Sequence, residues 1–294
     1  MLVSPTALIV FGLVLFPAFF SIWISFHNVK LSNLHDVFHA EFVGFDNYED
    51  VFDYFAFKWR GWDQWGAAVT SVVYSFVSTI FTLLVGLAAA LLLNRPFRGR
   101  GIARGIFLFP YVAPVVGVAL VWKWMLDPTQ SGVVNDIFIS LGWVDQLEPV
   151  AYLAKRGLSL ILVILFQVWR YFPFAMLMIL ARLQAIDNTL YEAADVDGAN
   201  SWRKFTNVTL PELRYVMGAI FLLRLLWTFN KFDDIWLLTG GGYGTNVLPV
   251  LTYQFSFGRS DFGQGAATAM ILLIGLVIFI SLYVFFIMRN VEED

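Results

Sequence analysis

The feature that most constrains this fold is the length of its apolar runs. The hydrocarbon core of a bilayer is about 30 Å thick, so a membrane-crossing helix needs about 20 mostly apolar residues. Six segments of the sequence meet this requirement. The sequence therefore predicts an all-α, polytopic membrane protein with six transmembrane helices, at about residues 7–26, 67–93, 106–126, 158–180, 216–238 and 265–288.

Composition favours the same class. Hydrophobic residues make up 59% of the chain and charged residues 14%, whereas a soluble domain averages about 45–50% and about 25%. There is no Cys, which excludes disulfides, thiolate nucleophiles and Cys-based zinc sites. The three histidines, His27, His35 and His39, share one polar stretch without a spaced carboxylate pair, so a solvated loop is expected there rather than a metal site.

The distribution of Lys and Arg predicts the orientation of the spans. With a cytoplasmic N-terminus, the inside segments are 94–105, 182–214 and 289–294, and their density of basic residues is more than twice that of the outside segments. Segment 94–105 is the clearest marker, with four Arg and no acidic residue. The first apolar segment lacks a basic flank before it and is expected to be a retained span. Pro110 and Pro114 are expected to kink the third span.

The predicted cytoplasmic segment 187–211 contains signals for two short helices. Asp187 or Asn188 can cap the first helix, and Asn200 or Ser201 can cap the second. Gly198 lies between them, where a helix commonly ends in a left-handed residue, and its junction is expected to be packed. Pro211 suits the first turn of the next span. We call residues 187–211 the coupling loop; a plain connector needs fewer residues, since helix–helix links usually have about 2–8.

The coupling loop resembles the EAA motif of binding-protein-dependent ABC transporter permeases. In that family this segment is the coupling helix, which docks into a groove of the ATP-binding subunit. The matching residues, expected to be the ATPase-coupling residues here, are Glu192, Ala193, Ala194, Asp197, Gly198, Ala199, Phe205, Leu210 and Pro211.

The resemblance implies a set of partners. The chain has no Walker motif, so two ATP-binding cassette subunits would supply ATP hydrolysis, with ATP and Mg bound there and no cofactor bound by this chain. A second permease is also implied, either an identical copy or, as is usual in the carbohydrate-uptake branch, a homologous partner, together with an extracytoplasmic solute-binding protein. Residues 1–294 are then one importer transmembrane domain, in the cell (inner) membrane of a bacterium or archaeon, with the N-terminus cytoplasmic.

Two further stretches, residues 42–48 and 229–242, resemble the carbohydrate-uptake branch of these permeases. The resemblance implies a disaccharide or oligosaccharide such as trehalose or maltose as the substrate. Glycerol-3-phosphate is the alternative solute within the same class. An integral membrane enzyme or a self-contained channel is a remote alternative, because neither a nucleophile elbow nor a zinc-ligand helix is present.

Aromatic and charged residues alternate around the end of the fifth span. Ionisable residues at membrane depth usually face a cavity or a partner, and aromatic rings beside polar groups suit a sugar. An interfacial aromatic belt is the competing interpretation, and a structural or inter-subunit pair is favoured for Arg170 and Arg224. The predicted substrate-path residues are Trp227, Asn230, Phe232, Asp233, Asp234 and Trp236.

Overall fold

The computed structural model describes residues 8–55, 66–129 and 132–292, with side chains omitted for 53–55 and 286–292. These residues are helical apart from loops and two isolated β-bridges, His27–Phe42 and Lys30–Asp261. The helices are α1 (Leu8–Ser25), α2 (Asp46–Phe55), α3 (Ala67–Asn94), α4 (Arg100–Val112), α5 (Val115–Met125), α6 (Val133–Ser140), α7 (Leu158–Gln184), α8 (Asn188–Val196), α9 (Ser201–Lys204), α10 (Leu210–Phe229), α11 (Asp233–Thr239), α12 (Leu248–Tyr253) and α13 (Phe262–Glu292).

Four of these helices, α1, α3, α7 and α13, are long and apolar enough to cross a membrane. The bent pair α4 and α5 makes a fifth span if it is counted as one, and its axis turns by 93° at the break before Pro114. The expected bend is confirmed at Pro114, whereas Pro110 lies inside α4.

The bounds predicted for the fifth span are wrong. Its helix, α10, begins at Leu210 and ends at Phe229, and Asn230 to Phe232 separate it from α11. Three charged residues, Glu212, Arg214 and Arg224, interrupt the apolar sequence of α10, and it is not among the described helices that are apolar enough to cross a membrane. The predicted span extended to residue 238 because apolar residues resume after the break, up to Leu238.

The chain divides into two compact units by its internal contacts. The first contains residues 1–71 and 239–294, in which α13 packs against α1, α2 and α12. Backbone amides of Phe262 and Gly263 donate to the carbonyl of Val29, at 2.9 and 3.1 Å. Gly263 permits this close approach, because a Cβ there would lie 2.7 Å from the carbonyl oxygen of His27.

The second unit contains residues 72–238, and α7 is its central element, packing against α4 and α10. Gly86 on α3 lets the backbone of α7 come close, since a Cβ at this position would lie 2.7 Å from the Cβ of Ala175. The core beside this crossing is apolar and nearly free of solvent, with members from α3, α7 and α10: Ala90, Leu93, Ala175, Met176, Ile179 and Leu213. Small residues on facing helices allow such close packing in a bilayer.

Candidate functional site

The coupling loop folds as two capped helices around a glycine. Asp187 caps α8, because its carboxylate accepts a hydrogen bond from the backbone N–H of Thr189 at 2.9 Å. This hydrogen bond lowers the pKa of the Asp187 carboxyl below its usual value. Asn200 caps α9 in the same way, accepting from the backbone N–H of Arg203 at 2.9 Å.

The elbow between these helices is a Schellman motif. The N–H of Ala199 donates to the carbonyl of Ala194, and the N–H of Gly198 donates to that of Asp195, at 2.9 and 3.0 Å. This pattern closes a helix when the residue after its C-cap is left-handed, and Gly198 has a φ of +70°. The junction is not packed as expected, because no atom lies within 4 Å of a Cβ added at Gly198. Gly198 is therefore required by backbone conformation and not by space.

Side chains brace the elbow. Lys204 on α9 forms an ion pair with Asp195 on α8. The Tyr191 hydroxyl lies 3.0 Å from the hydroxyl of Thr209, which belongs to the π-helical turn that leads into α10. These contacts join both helices of the loop to each other and to the start of α10.

The two ends of the loop are also tied together at its base. Arg182, near the end of α7, donates through Nη2 to Oε2 of Glu212 at 2.5 Å and through Nε to the Glu212 carbonyl at 3.1 Å. Glu212 lies in the first turn of α10, beside Pro211. The base of the coupling loop is thus a bidentate bridge between the helices that precede and follow it.

The outer surface of the loop is apolar at three positions that the sequence reasoning missed. Val196 is 89% exposed and Trp202 is 70% exposed, and Leu190 on α8 is also exposed. A contiguous patch of exposed apolar side chains is typical of a surface that a partner covers. Neither α8 nor α9 contains a buried residue, so helical periodicity does not distinguish these positions. Glu192, Ala193, Asp197 and Leu210 are exposed as well, and Ala194, Ala199 and Phe205 are half-buried.

A second polar site lies where α7, α10 and α11 meet. Asp234 is fully buried. With the Gln167 amide turned so that its nitrogen faces this carboxylate, the nitrogen donates to Oδ2 of Asp234 at 2.5 Å. The oxygen of the same amide accepts from Nη2 of Arg224 at 3.0 Å and from the hydroxyl of Thr228 at 3.2 Å. Lys231 lies 4.0 Å from Oδ1 of Asp234. We call these residues the Asp234 network.

Aromatic rings surround the cations of this network. The Arg224 guanidinium lies 4.2 Å from the centroid of the Tyr171 ring, and the Lys231 ammonium lies 5.2 Å from it. Arg170 is also buried, and its Nε and Nη1 atoms have no acceptor among the residues that the structure describes. A desolvated cation is stabilised by an aromatic face. The interpretation of Arg224 as a structural pair agrees with this geometry.

The six predicted substrate-path residues do not form one cluster. Asp234 points into the network, whereas Asp233 is half-exposed and contacts only its edge, where it pairs with Lys231 at 2.9 Å. The Phe232 and Trp236 rings stack at 5.5 Å and are half-buried. Trp227 packs against Phe174. The remaining residue, Asn230, donates to the carbonyl of Leu226 at 3.0 Å and ends α10.

The break between α4 and α5 adjoins a cavity of about 740 Å³. Its walls are almost entirely apolar, and they include Pro114 of the break and the indole rings of Trp122 and Trp169. Trp169 directly precedes the buried Arg170 in the chain. The sequence reasoning did not anticipate this cavity, because it depends on the 93° turn.

Comparisons with known proteins agree with this architecture. Residues 82–293 match the family described as binding-protein-dependent transport system inner membrane component. The inner membrane ABC transporter permease protein YcjO of Escherichia coli K12 is 35% identical over 93% of this chain and 88% of its own. The trehalose/maltose transport system permease protein MalF of Thermococcus litoralis is 31% identical over 96% of this chain and 91% of its own.

A solved structure shares the fold. It is a bacterial ABC transporter involved in the import of the acidic polysaccharide alginate, and one of its chains superposes with a TM-score of 0.80. The similarity covers 97% of this chain and 93% of that one, at 22% sequence identity. The resemblance to permeases that the coupling loop suggested is thereby confirmed for the greater part of the chain.

Proposed function

The chain belongs to the family of binding-protein-dependent transport system inner membrane components, and from this premise we propose that it forms half of the translocation path of an ATP-driven sugar importer. It is a multi-pass membrane protein and a permease subunit rather than an ATPase. In the proposed assembly it crosses the membrane six times from a cytoplasmic N-terminus. It pairs with a second, homologous permease and receives substrate from an extracytoplasmic solute-binding protein.

The observation that carries the proposal is the rigid, exposed coupling loop. A transporter must convert the closure of an ATPase dimer into movement of its spans, and a mobile loop would absorb that movement. Here the loop has a capped helix on each side of Gly198 and a bridge between Arg182 and Glu212 at its base. We propose that each permease docks one ATP-binding cassette subunit through this loop. ATP and Mg are then bound by the two ATPase subunits.

The proposed substrate is a disaccharide such as trehalose or maltose. Relatives at 31% and 29% identity, from Thermococcus litoralis and Mycobacterium tuberculosis, carry the names of trehalose/maltose and trehalose permeases. The stacked pair Phe232 and Trp236 and the polar groups of the Asp234 network offer the combination of ring faces and hydrogen-bonding groups that a sugar requires. We therefore place the substrate path beside α10 and α11.

The test is reconstitution of the complete importer in proteoliposomes with the companion subunits of the source genome. We expect uptake of radiolabelled trehalose or maltose that requires ATP and the binding protein. Uptake without any ATPase subunit would contradict the proposed class. Uptake of glycerol-3-phosphate in place of either sugar would contradict the substrate and leave the class intact.

A further inference from the structure

The segment that follows α1 closes into a loop. The backbone N–H of Asn28 donates to the carbonyl of Glu41 at 2.8 Å, and that of Val43 donates to the carbonyl of Phe26 at 2.9 Å. These two hydrogen bonds join the ends of a stretch that contains the 3₁₀ helix Leu31–His39. We call this helix the return segment, because the hydrogen bonds hold it near the end of α1.

Phe38 of the return segment lies against the side of α1. Its ring centroid is 6.0 Å from that of Phe20 and 6.2 Å from that of Trp23. Phe20 precedes the end of α1 at Ser25 by five residues, or about 7.5 Å along the helix axis at about 1.5 Å per residue. Side chains of a helix lean toward its N-terminus, which is the direction into the span here. The loop therefore brings Phe38 back to a level inside α1.

The ring of Phe38 is 73% exposed at this level. The side of α1 that it contacts continues inward through Phe16, whose ring stacks on Phe20 at 6.0 Å and is itself 56% exposed. Phe38 and Phe16 thus belong to one continuous apolar surface. The residues that the structure describes bury only 6% of α1, and a membrane-crossing helix with that little protein around it is surrounded by lipid. The surface of Phe38 is continuous with this lipid-facing helix.

Toward the end of α1 the same row of rings meets polar groups. His27 stacks on Trp23 with the centroids 3.8 Å apart, and the exposed Phe42 meets His27 edge-on at 5.4 Å. In the return segment, Asp36 and His39 form an exposed ion pair. Aromatic rings that border charged groups at the end of a span are typical of the boundary between lipid and water.

We propose that the return segment anchors the connection between α1 and α2 to the surface of the bilayer. Phe38 lies among the lipids at the edge of the hydrocarbon, and the pair formed by Asp36 and His39 stays in the water above it. The occupant of this surface is the bilayer itself, recognised through its apolar character and not through a headgroup. The proposal rests on α1 crossing the membrane and is independent of the imported solute and of the ATPase.

Spin labels on single cysteines test the anchor, and the chain suits them because it has no Cys of its own. Labelled full-length Phe38→Cys, Asp36→Cys and Leu13→Cys are reconstituted into phosphatidylcholine vesicles. Power saturation then compares collisions with oxygen, which concentrates in lipid, with collisions with a water-soluble nickel chelate. We expect the label at position 38 to be immersed by about 5–10 Å, the depth of interfacial apolar side chains.

Two of these variants are the references for depth. Leu13 is 74% exposed within α1 and gives the deep reference, and Asp36 is the matched shallow control in the return segment itself. The label at position 38 should fall between them. Equal access of the nickel chelate to positions 38 and 36 would overturn the proposal, because the return segment would then project into water. If position 13 is no deeper than position 36, α1 is not a span and the anchor is refuted with it.

The alternative occupant is protein. Protection of position 38 from both reagents would show that other residues of the chain cover the ring, which would overturn the proposal. The measurement is repeated after the labelled chain is assembled with its companion subunits, and loss of oxygen access at that step would assign the surface to a partner chain and refute lipid as its occupant. If the assembled vesicles fail to import sugar while position 38 remains immersed, the proposed function fails and the anchor is supported.

Discussion

Replacing Gly198 with valine isolates the mechanical role of the coupling loop. Gly198 has a φ of +70°, and a Cβ built there meets no atom within 4 Å. The substitution therefore introduces no clash, and its cost is the left-handed backbone alone, about 1–2 kcal/mol for a residue with a Cβ. The full cost is expected for valine because it is β-branched, whereas asparagine tolerates the left-handed backbone region.

This strain sets the size of the expected effect. The variant can relieve this strain by unwinding the Schellman motif, and this unwinding changes the angle between α8 and α9. If only the elbow geometry binds the ATPase, the apparent affinity falls in proportion to the population of that geometry. A cost of about 1–2 kcal/mol corresponds to at most about 5- to 30-fold weaker binding. The expected order of affinity is glycine, then asparagine, alanine and valine.

The assay is co-purification of the ATPase subunit with the permease, together with substrate-stimulated ATP hydrolysis in membranes. Gly142→Val is the matched control, because Gly142 has a φ of +73°, is equally free of close atoms and lies in a different loop. It should reduce stability similarly without reducing ATPase binding. If Gly198→Val and Gly142→Val bind the ATPase, hydrolyse ATP and import substrate alike, the coupling loop is only a connector.

Three further predictions concern the topology, the Asp234 network and the proposed substrate path. Reporter fusions at Gly99 and Ser140 should report opposite sides of the membrane, and the same side for both would exclude the proposed topology. Asp234→Ala should lower the free energy of unfolding by about 1–3 kcal/mol, because it leaves the buried Gln167 amide without its acceptor. Asp233→Ala, which removes a half-exposed ion pair with Lys231, should cost less than about 1 kcal/mol. Denaturant titration in detergent compares the two variants, and equal losses would contradict the burial argument. Trp236→Ala should reduce sugar uptake with normal complex assembly, and unchanged uptake would remove this residue from the substrate path.

The coupling loop could be predicted from sequence because its determinants are local. A capping side chain acts on backbone two or three residues away, and Asp187 and Asn200, each one of two candidates, are the residues that cap α8 and α9. The left-handed Gly198 and the first-turn Pro211 follow from the same short-range rules. The expectation that the junction at Gly198 is packed was wrong. Packing depends on what surrounds the loop and not on the loop's own residues.

The substrate-path prediction shows the limit of that reasoning. Asp233 and Asp234 are adjacent residues of the same type, so the sequence alone does not indicate that they have different partners. Their difference arises because α11 restarts after the break at residues 230–232, which turns Asp234 toward Gln167 on α7 and Asp233 toward Lys231. Gln167 lies 67 positions earlier in the chain. Local periodicity cannot report a partner at that separation.

The backbone between these two sites is continuous. The helix α9, the π-helical turn Phe205–Thr209 and α10 follow one another without a break, so residues 201–229 form one helical rod. At about 1.5 Å per residue its 29 residues span about 43 Å, from the elbow at Gly198 to the break at residues 230–232. Continuous backbone hydrogen bonding resists bending and compression. Arg224 and Thr228 of the Asp234 network lie at the far end of this rod. We infer that movement at the coupling loop reaches the proposed substrate path through this rod.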